Sequence, residues 1–313
     1  AETTVAVGNM NTYTYAVGEF VTVESDVEVF LFDVPPGDRV LDPDVVIRRG
    51  TGEEIVAERT DGCIRVTVPT SLPTGKTSSS EPVEFTKLLL TAIDRALLHR
   101  GATLAFGAVL QTPDGVGVGL FGDSGCGKST AAFRLAQQRG YRLLADDLLV
   151  CHGDEIRPFP RYVNLPRDVP SVETWLRSTA PRTDRIRRWD DELDVPRTLV
   201  SDVVPGRIEL DYVVLVDPAE SSRKETTSPT PVPITTEHAV EDVAAWNGTN
   251  LDGWTAHPAI PGPSGRIGPD RGGAIREAIA SADCYRIAAR RGSLSRSVAA
   301  LVQRGRRFGT PPA

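Results

Sequence analysis

Apolar and polar positions change period along this chain, and the changes mark out its elements. Short runs rich in valine and aromatic residues at 15–23, 27–32, 45–47, 54–57 and 63–68 predict strands. Turn formers separate them: Pro35-Pro36-Gly37-Asp38, Arg49-Gly50-Thr51-Gly52 and Asp61-Gly62. A polar stretch at 71–82 reads as a boundary or a mobile loop. From Glu84 the period becomes helical, with Phe85, Leu88, Leu89, Ile93, Leu97 and Leu98 in one stripe down to His99. A histidine at a helix C-terminus caps it more often than it does chemistry. A strand over 102–110, a turn at 112–115 and a buried strand over 116–121 follow. A helix over 130–138 carries Ala131, Ala132, Leu135 and Ala136 on one face and stops at Gly140. The next strand, 141–145, ends on the carboxylates Asp146 and Asp147.

Beyond that pair, 148–150 reads as a strand and Cys151-His152-Gly153-Asp154 as a turn. Cys151 and His152 are neighbours on a strand and point to opposite faces, so they do not form a joint site. Three prolines make 157–166 extended and stiff, which holds Arg161 rather than leaving it floppy. Residues 167–205 are charged and punctuated by proline, and read as a solvated excursion able to cover a substrate. Later come a buried strand at 212–216, a loop at 220–231, a helix at 238–246 and a loop at 252–273. A helix at 276–280, a strand at 284–288 and a helix at 294–302 complete the series. The pattern predicts an α/β fold with a β-rich region over 1–80. A domain over 81–313 follows, with a mixed sheet flanked by helices.

Composition narrows the function. The chain has 313 residues, 40% hydrophobic and 25% charged, ordinary for a globular protein. A net charge of -7 argues against a nucleic-acid partner, whose binder would be basic. No apolar run approaches the ~18 residues a membrane helix needs and no signal peptide is recognised, so a cytoplasmic protein without a membrane partner is expected. The cysteines Cys63, Cys126, Cys151 and Cys284 show neither metal-ligand spacing nor a disulfide framework. Basic residues are nearly all arginine; the lysines are Lys76, Lys87, Lys128 and Lys224, which makes Lys128 hard to ascribe to background composition.

Lys128 lies in Gly122-Asp123-Ser124-Gly125-Cys126-Gly127-Lys128-Ser129, followed by Thr130. Glycine, four residues, then Gly-Lys-Ser between a strand and a helix is the pattern of a phosphate-binding loop. The glycines let several backbone N–H groups converge, and the helix start adds its positive dipole end. Lys128 supplies charge for the β- and γ-phosphates, Ser129 a hydroxyl for Mg2+, and a carboxylate at a neighbouring strand end completes the metal site or takes a proton. Arg161, just beyond, reads either as a brace for a γ-phosphate or incoming phosphate or as a surface arginine. Cys126 occupies a variable position of the loop and reads as a space-filler, with exposure to oxidation as its liability.

The run Gly-Asp-Ser-Gly-Cys-Gly-Lys-Ser-Thr, the helix ending at Gly140 and then Tyr-Arg-Leu-Leu-Ala-Asp-Asp resemble the HPr kinase/phosphorylase family. The likeness is strong over 116–150 and weaker through Phe159-Pro160-Arg161, as in the shorter HPr-kinase-like proteins. It implies a phosphoenolpyruvate-carboxykinase-like P-loop fold, with ATP and Mg2+, and phosphate transfer to a serine hydroxyl. By position it makes Asp146 the base and Asp147 a metal ligand beside Ser129, the exchanged assignment staying open. The family's Glu-Ile-Arg-Gly-Leu-Gly signature is missing, Arg207-Ile208-Glu209-Leu210 being a poor echo, and the β-rich start does not resemble the family's regulatory domain. The expectation is therefore a specialised kinase for a protein, a peptide or a small hydroxylated acceptor. A homo-oligomer stays open, and the alternatives are a nucleotide-binding regulator without transfer activity or a carboxykinase-type enzyme.

Overall fold

The computed structural model describes residues 12–19, 21–29, 31–33, 37, 42–73, 84–178, 185–189, 191–202, 206–218, 230–260, 271–289 and 293–308. Its first region forms β1 (Tyr13–Val17), β2 (Val21–Ser25), β3 (Val45–Gly50), β4 (Val56–Thr60) and β5 (Cys63–Pro69). They make one sheet in the order β1-β2-β3-β5-β4. Where the sequence predicts a single strand over 15–23, the chain turns at Gly18 and Glu19, both at positive φ (60° and 71°), so β1 and β2 pair antiparallel. The predicted strand at 27–32 does not form among its described residues; Phe32 instead makes an isolated bridge to Arg161. One face of the sheet, including Tyr15, Val23, Ile47 and Val66, is buried against Phe85, Leu88, Leu89 and Ile93 of α1 (Glu84–His99).

The chain then runs through β6 (Ala102–Gln111), β7 (Gly117–Phe121), α2 (Lys128–Arg139), β8 (Arg142–His152) and β9 (Glu155–Pro158). An excursion of β10 (Val163–Pro166), α3 (Pro170–Ser178), β11 (Arg187–Arg188), β12 (Glu192–Val195) and α4 (Arg197–Val200) follows. It returns through β13 (Ile208–Glu209), β14 (Tyr212–Pro218), β15 (Val232–Pro233), α5 (Thr236–Thr255), α6 (Arg271–Ile279), β16 (Asp283–Ala289) and α7 (Leu294–Phe308).

The central sheet is mixed, in the order β13-β9-β8-β6-β7-β14-β16-β15, with β7, β14 and β16 mutually parallel. Strand alternation sorts its two faces. Val214 and Val216 of β14 join a core with α2 and α7, while Val213 and Leu215 join another with α5 and α6. Leu104, Leu148 and Val150 belong to the core under the N-terminal sheet, so that sheet and the central one share buried surface. The protein is therefore a mixed α/β structure. Among the described residues no helix is long and apolar enough to cross a membrane.

Three expectations need correction. β8 does not end at 145 and restart at 148; it is one strand through Asp146 and Asp147. Asp147 has φ 68°, a left-handed conformation that Asp tolerates, and it sits opposite Gly107 of β6. Residues 167–205 are not simply a solvated excursion, because Val172, Trp175, Leu193 and Val195 are buried in the core that α2 shares. Charge dominates its composition while its few apolar residues fall on one side. Lastly, α5 runs 20 residues from Thr236 to Thr255, well past the predicted end at 246. Gly248 and Gly253 cost a helix about 1 kcal/mol each, and packing overrides that local preference. The predicted loops at 71–82 and 220–231 lie largely outside the described residues; of the predicted loop at 252–273, 252–255 belong to α5 and 271–273 to α6, and 261–270 lie outside the described residues.

Candidate active site

β7 delivers the chain to the glycine loop at Gly122, whose φ is 151°. A Cβ there would stand 2.4 Å from the carbonyl oxygen of Val216 on the adjacent β14, so only glycine fits so close to that strand. Gly125 (φ 79°) and Gly127 (φ 100°) take further left-handed steps, and Gly127 is the residue from which α2 starts. No side chain caps that start and no acidic residue lies in its first turn. Its opening N–H groups therefore face the loop, an arrangement that suits an anion. Asp123, Ser124 and Gly125 are exposed, Gly127, Lys128 and Ser129 half-buried, and Cys126 and Thr130 buried.

Lys128 curls over the loop. Its Nζ donates to the carbonyl oxygens of Gly122 and Asp123, each at 2.8 Å, and lies 3.6 Å from Sγ of Cys126. Burial pushes the Cys126 thiol above its ordinary range, although the Lys128 ammonium pulls the other way. A buried, protonated thiol fills space and is not a nucleophile.

β8 is separated from β7 by β6 alone, and the register Asp146–Ala108–Leu120 sets the aspartates level with the end of β7, from which the glycine loop starts. Asp146 is 1% exposed, and neither of its carboxylate oxygens accepts a formed hydrogen bond. Burial, with the neighbouring Asp147 charge adding to it, raises its pKa to about 7; the nearby Ser129 hydroxyl and the charges of Lys128 and Arg161 favour the anion without offsetting that cost. Two orphaned, buried carboxylate oxygens beside a hydroxyl form a donor set that suits a hard divalent cation. Asp147 is more open, its side chain 30% exposed, and it is ion-paired with Nη1 of Arg161.

Arg161 is held from several sides. Its guanidinium lies 5.8 Å from the ring centre of Trp254 on α5. With the Asn164 amide turned so that its oxygen faces Arg161, the orientation that satisfies both ends, Nη2 donates to that oxygen at 3.2 Å and the amide nitrogen donates to Asp194 at 2.8 Å. The Trp189 indole also donates to Asp194, at 2.7 Å. The structure thus brings together Lys128, Ser129, Asp146, Asp147 and Arg161, contributed by α2, β8 and the loop after β9. Sequence reasoning missed Trp254, Asn164 and Asp194. Trp254 was findable, because Val240, Val243, Asn247, Leu251 and Trp254 keep a helical spacing. Asn164 and Asp194 carry no local signal.

No protein-family model matches the chain, and no curated protein matches it. Among solved structures, the chain is similar to the HPr(Ser) kinase/phosphatase from Coxiella burnetii, at 14% identity over 65% of this chain and 96% of that one. The TM-score is 0.32, and a likeness that loose carries no argument about activity.

Proposed function

We propose that the protein is an ATP-dependent phosphotransferase that moves the γ-phosphate to a hydroxyl, with a serine or threonine of a protein or peptide as the first choice of acceptor. The observation that carries this is Asp146, a fully buried carboxylate with both oxygens unsatisfied, set beside Ser129 and Lys128 at the mouth of a glycine loop. A bare ion-binding core would not need the loop, and a bare anion site would not need an orphaned carboxylate. Together they fit a phosphate chain and its cation.

In this reading the loop amides and Lys128 hold the β- and γ-phosphates. Ser129 and Asp146 would hold Mg2+, which neutralises charge developing on the phosphates. Asp147, open to solvent and next to Arg161, takes the proton of the acceptor hydroxyl as it attacks in line. Arg161, held over Trp254, faces the charge of the transferring group. This takes the exchanged assignment of the two aspartates, which the family resemblance had left open beside Asp146 as base. Burial is the reason: a base must touch its acceptor, and Asp146 is sealed in while Asp147 is not.

The test is phosphate transfer from radiolabelled Mg-ATP to peptide and small-alcohol panels, by wild type, Asp146→Asn and Asp147→Asn. Asp147→Asn should keep Mg-ATP binding and lose about 10²–10⁴ in transfer. Asp146→Asn should weaken the Mg2+ dependence of ATP binding. The opposite split restores Asp146 as base, and full transfer by both variants removes the pair from the mechanism.

A further inference from the structure

One buried ion pair outside the site touches both of its walls. Asp33 belongs to the N-terminal region and Arg197 to α4, and their side chains are 3% and 7% exposed. The Asp33 carboxylate accepts from Nε of Arg197 at 3.0 Å, from its Nη2 at 3.3 Å and from its backbone N–H at 3.2 Å. The remaining end of the guanidinium, Nη1, donates to the carbonyl oxygen of Leu144 at 2.6 Å. Leu144 is the extra residue of a β-bulge: β8 passes from Leu143 to Ala145 while β6 passes from Leu110 to Val109. Bulges re-aim the side chains that follow them, and Asp146 comes two residues later.

The other contacts of this segment lead to Arg161. The backbone N–H of Asp33 donates to the carbonyl oxygen of Pro160 at 2.9 Å, and Phe32 is bridged to Arg161 itself. The Phe32 ring lies 5.8 Å from that of Phe159. So Asp33 holds the Arg161 loop by its main chain and, through the Arg197 guanidinium, the bulge before the aspartates. A purely stabilising contact here would be better made from apolar groups, because burying an ion pair carries a large desolvation cost. What a guanidinium adds is direction: one planar group reaches a carboxylate on one side and a single carbonyl on the other.

We propose that Asp33 and Arg197 are positioning residues that fix the spacing between the Asp146–Asp147 pair and Arg161, making the N-terminal region part of the active-site frame. The catalytic consequence rests on the kinase reading; the spacing itself does not. The experiment uses the full chain with Asp33→Asn and, in parallel, Arg197→Lys, which keeps the charge opposite Asp33 but cannot also reach Leu144. Side-chain NMR of arginine-labelled protein reports the Arg161 guanidinium, its signal identified by its loss in Arg161→Lys.

Both variants should shift the Arg161 signal although neither touches that side chain. They should lower kcat by about tenfold to a hundredfold, with the KM for ATP changed by less than about twofold. If Asp33→Asn does not fold, Arg197→Lys decides alone. An unmoved Arg161 signal in a folded variant overturns the proposal, as does a shifted signal in a variant whose kcat equals that of a wild type that transfers phosphate. A wild type that transfers phosphate to no acceptor instead sinks the kinase reading, and the Arg161 signal alone then decides the spacing.

Discussion

Lys128 and Asp146 show how differently two charged residues are placed in one site. Lys128, half-buried, donates to the carbonyl oxygens of buried Gly122 and exposed Asp123 within its own loop. Lys128→Ala should leave the melting temperature nearly unchanged while Mg-ATP affinity falls by roughly tenfold or more, the worth of a charge-assisted contact. Calorimetric titration beside a thermal melt checks both, and undiminished binding would refute the phosphate-loop assignment. Asp146 is the opposite case. Its folded-state pKa of about 7 stands above the ordinary 3.8, so the folded state favours the protonated form. Its favourable contribution is full below the unfolded value and is lost as pH rises through about 7. Without Mg2+, wild type should lose stability across that window and Asp146→Asn should lose less. Mg2+ should reduce the slope, because the cation replaces the proton. Equal slopes in melts of both proteins in chelator would show that Asp146 is not the buried acid described.

At the scale of elements, the loop and the excursion each depend on a close contact. Gly122→Ala would set a methyl group 2.4 Å from the Val216 carbonyl oxygen, a backbone atom that cannot swing aside, so β7 and β14 would have to part. ATP binding should be lost even where the chain still folds; retention of wild-type affinity would mean the loop sits elsewhere. In the excursion, Trp175 packs edge-on against Phe133 of α2, ring centres 5.3 Å apart. Trp175→Ala should cost about 3–5 kcal/mol in urea unfolding, as large aromatic truncations do. A change under about 0.5 kcal/mol, ordinary for a surface site, would return the excursion to the status of a mobile cover.

For the whole molecule, the N-terminal sheet and the central sheet are joined through one core. Phe85, Leu88, Leu89 and Ile93 of α1 meet Val23, Ile47 and Val66 on one side, and that cluster continues into Leu104, Leu148 and Val150. A chain of 81–313 alone should therefore expose the α1 stripe, bind a hydrophobic dye and aggregate. A soluble, cooperatively melting 81–313 would establish the β-rich region as a separate domain. A second buried tie acts at the same scale. Asp94 of α1, fully buried with its pKa raised by burial, pairs with Arg271 of α6 at 2.6 Å, and Arg271 also reaches Thr255 of α5 at 3.0 Å.

Local residue order was enough to specify the chemistry on offer and its immediate frame. A Gly-rich loop needs glycine because its backbone takes left-handed steps, so its residues and spacing are written in the order they are used. Strand 116–121, the loop and the helix were readable for the same reason, as were α1 and β14, whose apolar periodicity is strong. Tertiary structure alone decided which residues meet that loop. Asp146 and Asp147 look equivalent in sequence; only the packing over β8 seals one and opens the other. Residues 27–32 read as a strand from their valines and aromatics, yet became the segment that braces Arg161. The pairing of Asp33 with Arg197, 164 residues apart, has no local trace, because a buried ion pair is specified by where two elements converge and not by the neighbours of either residue. The same holds for the far end of α5: glycines argued for a stop, and burial of Leu251 decided otherwise.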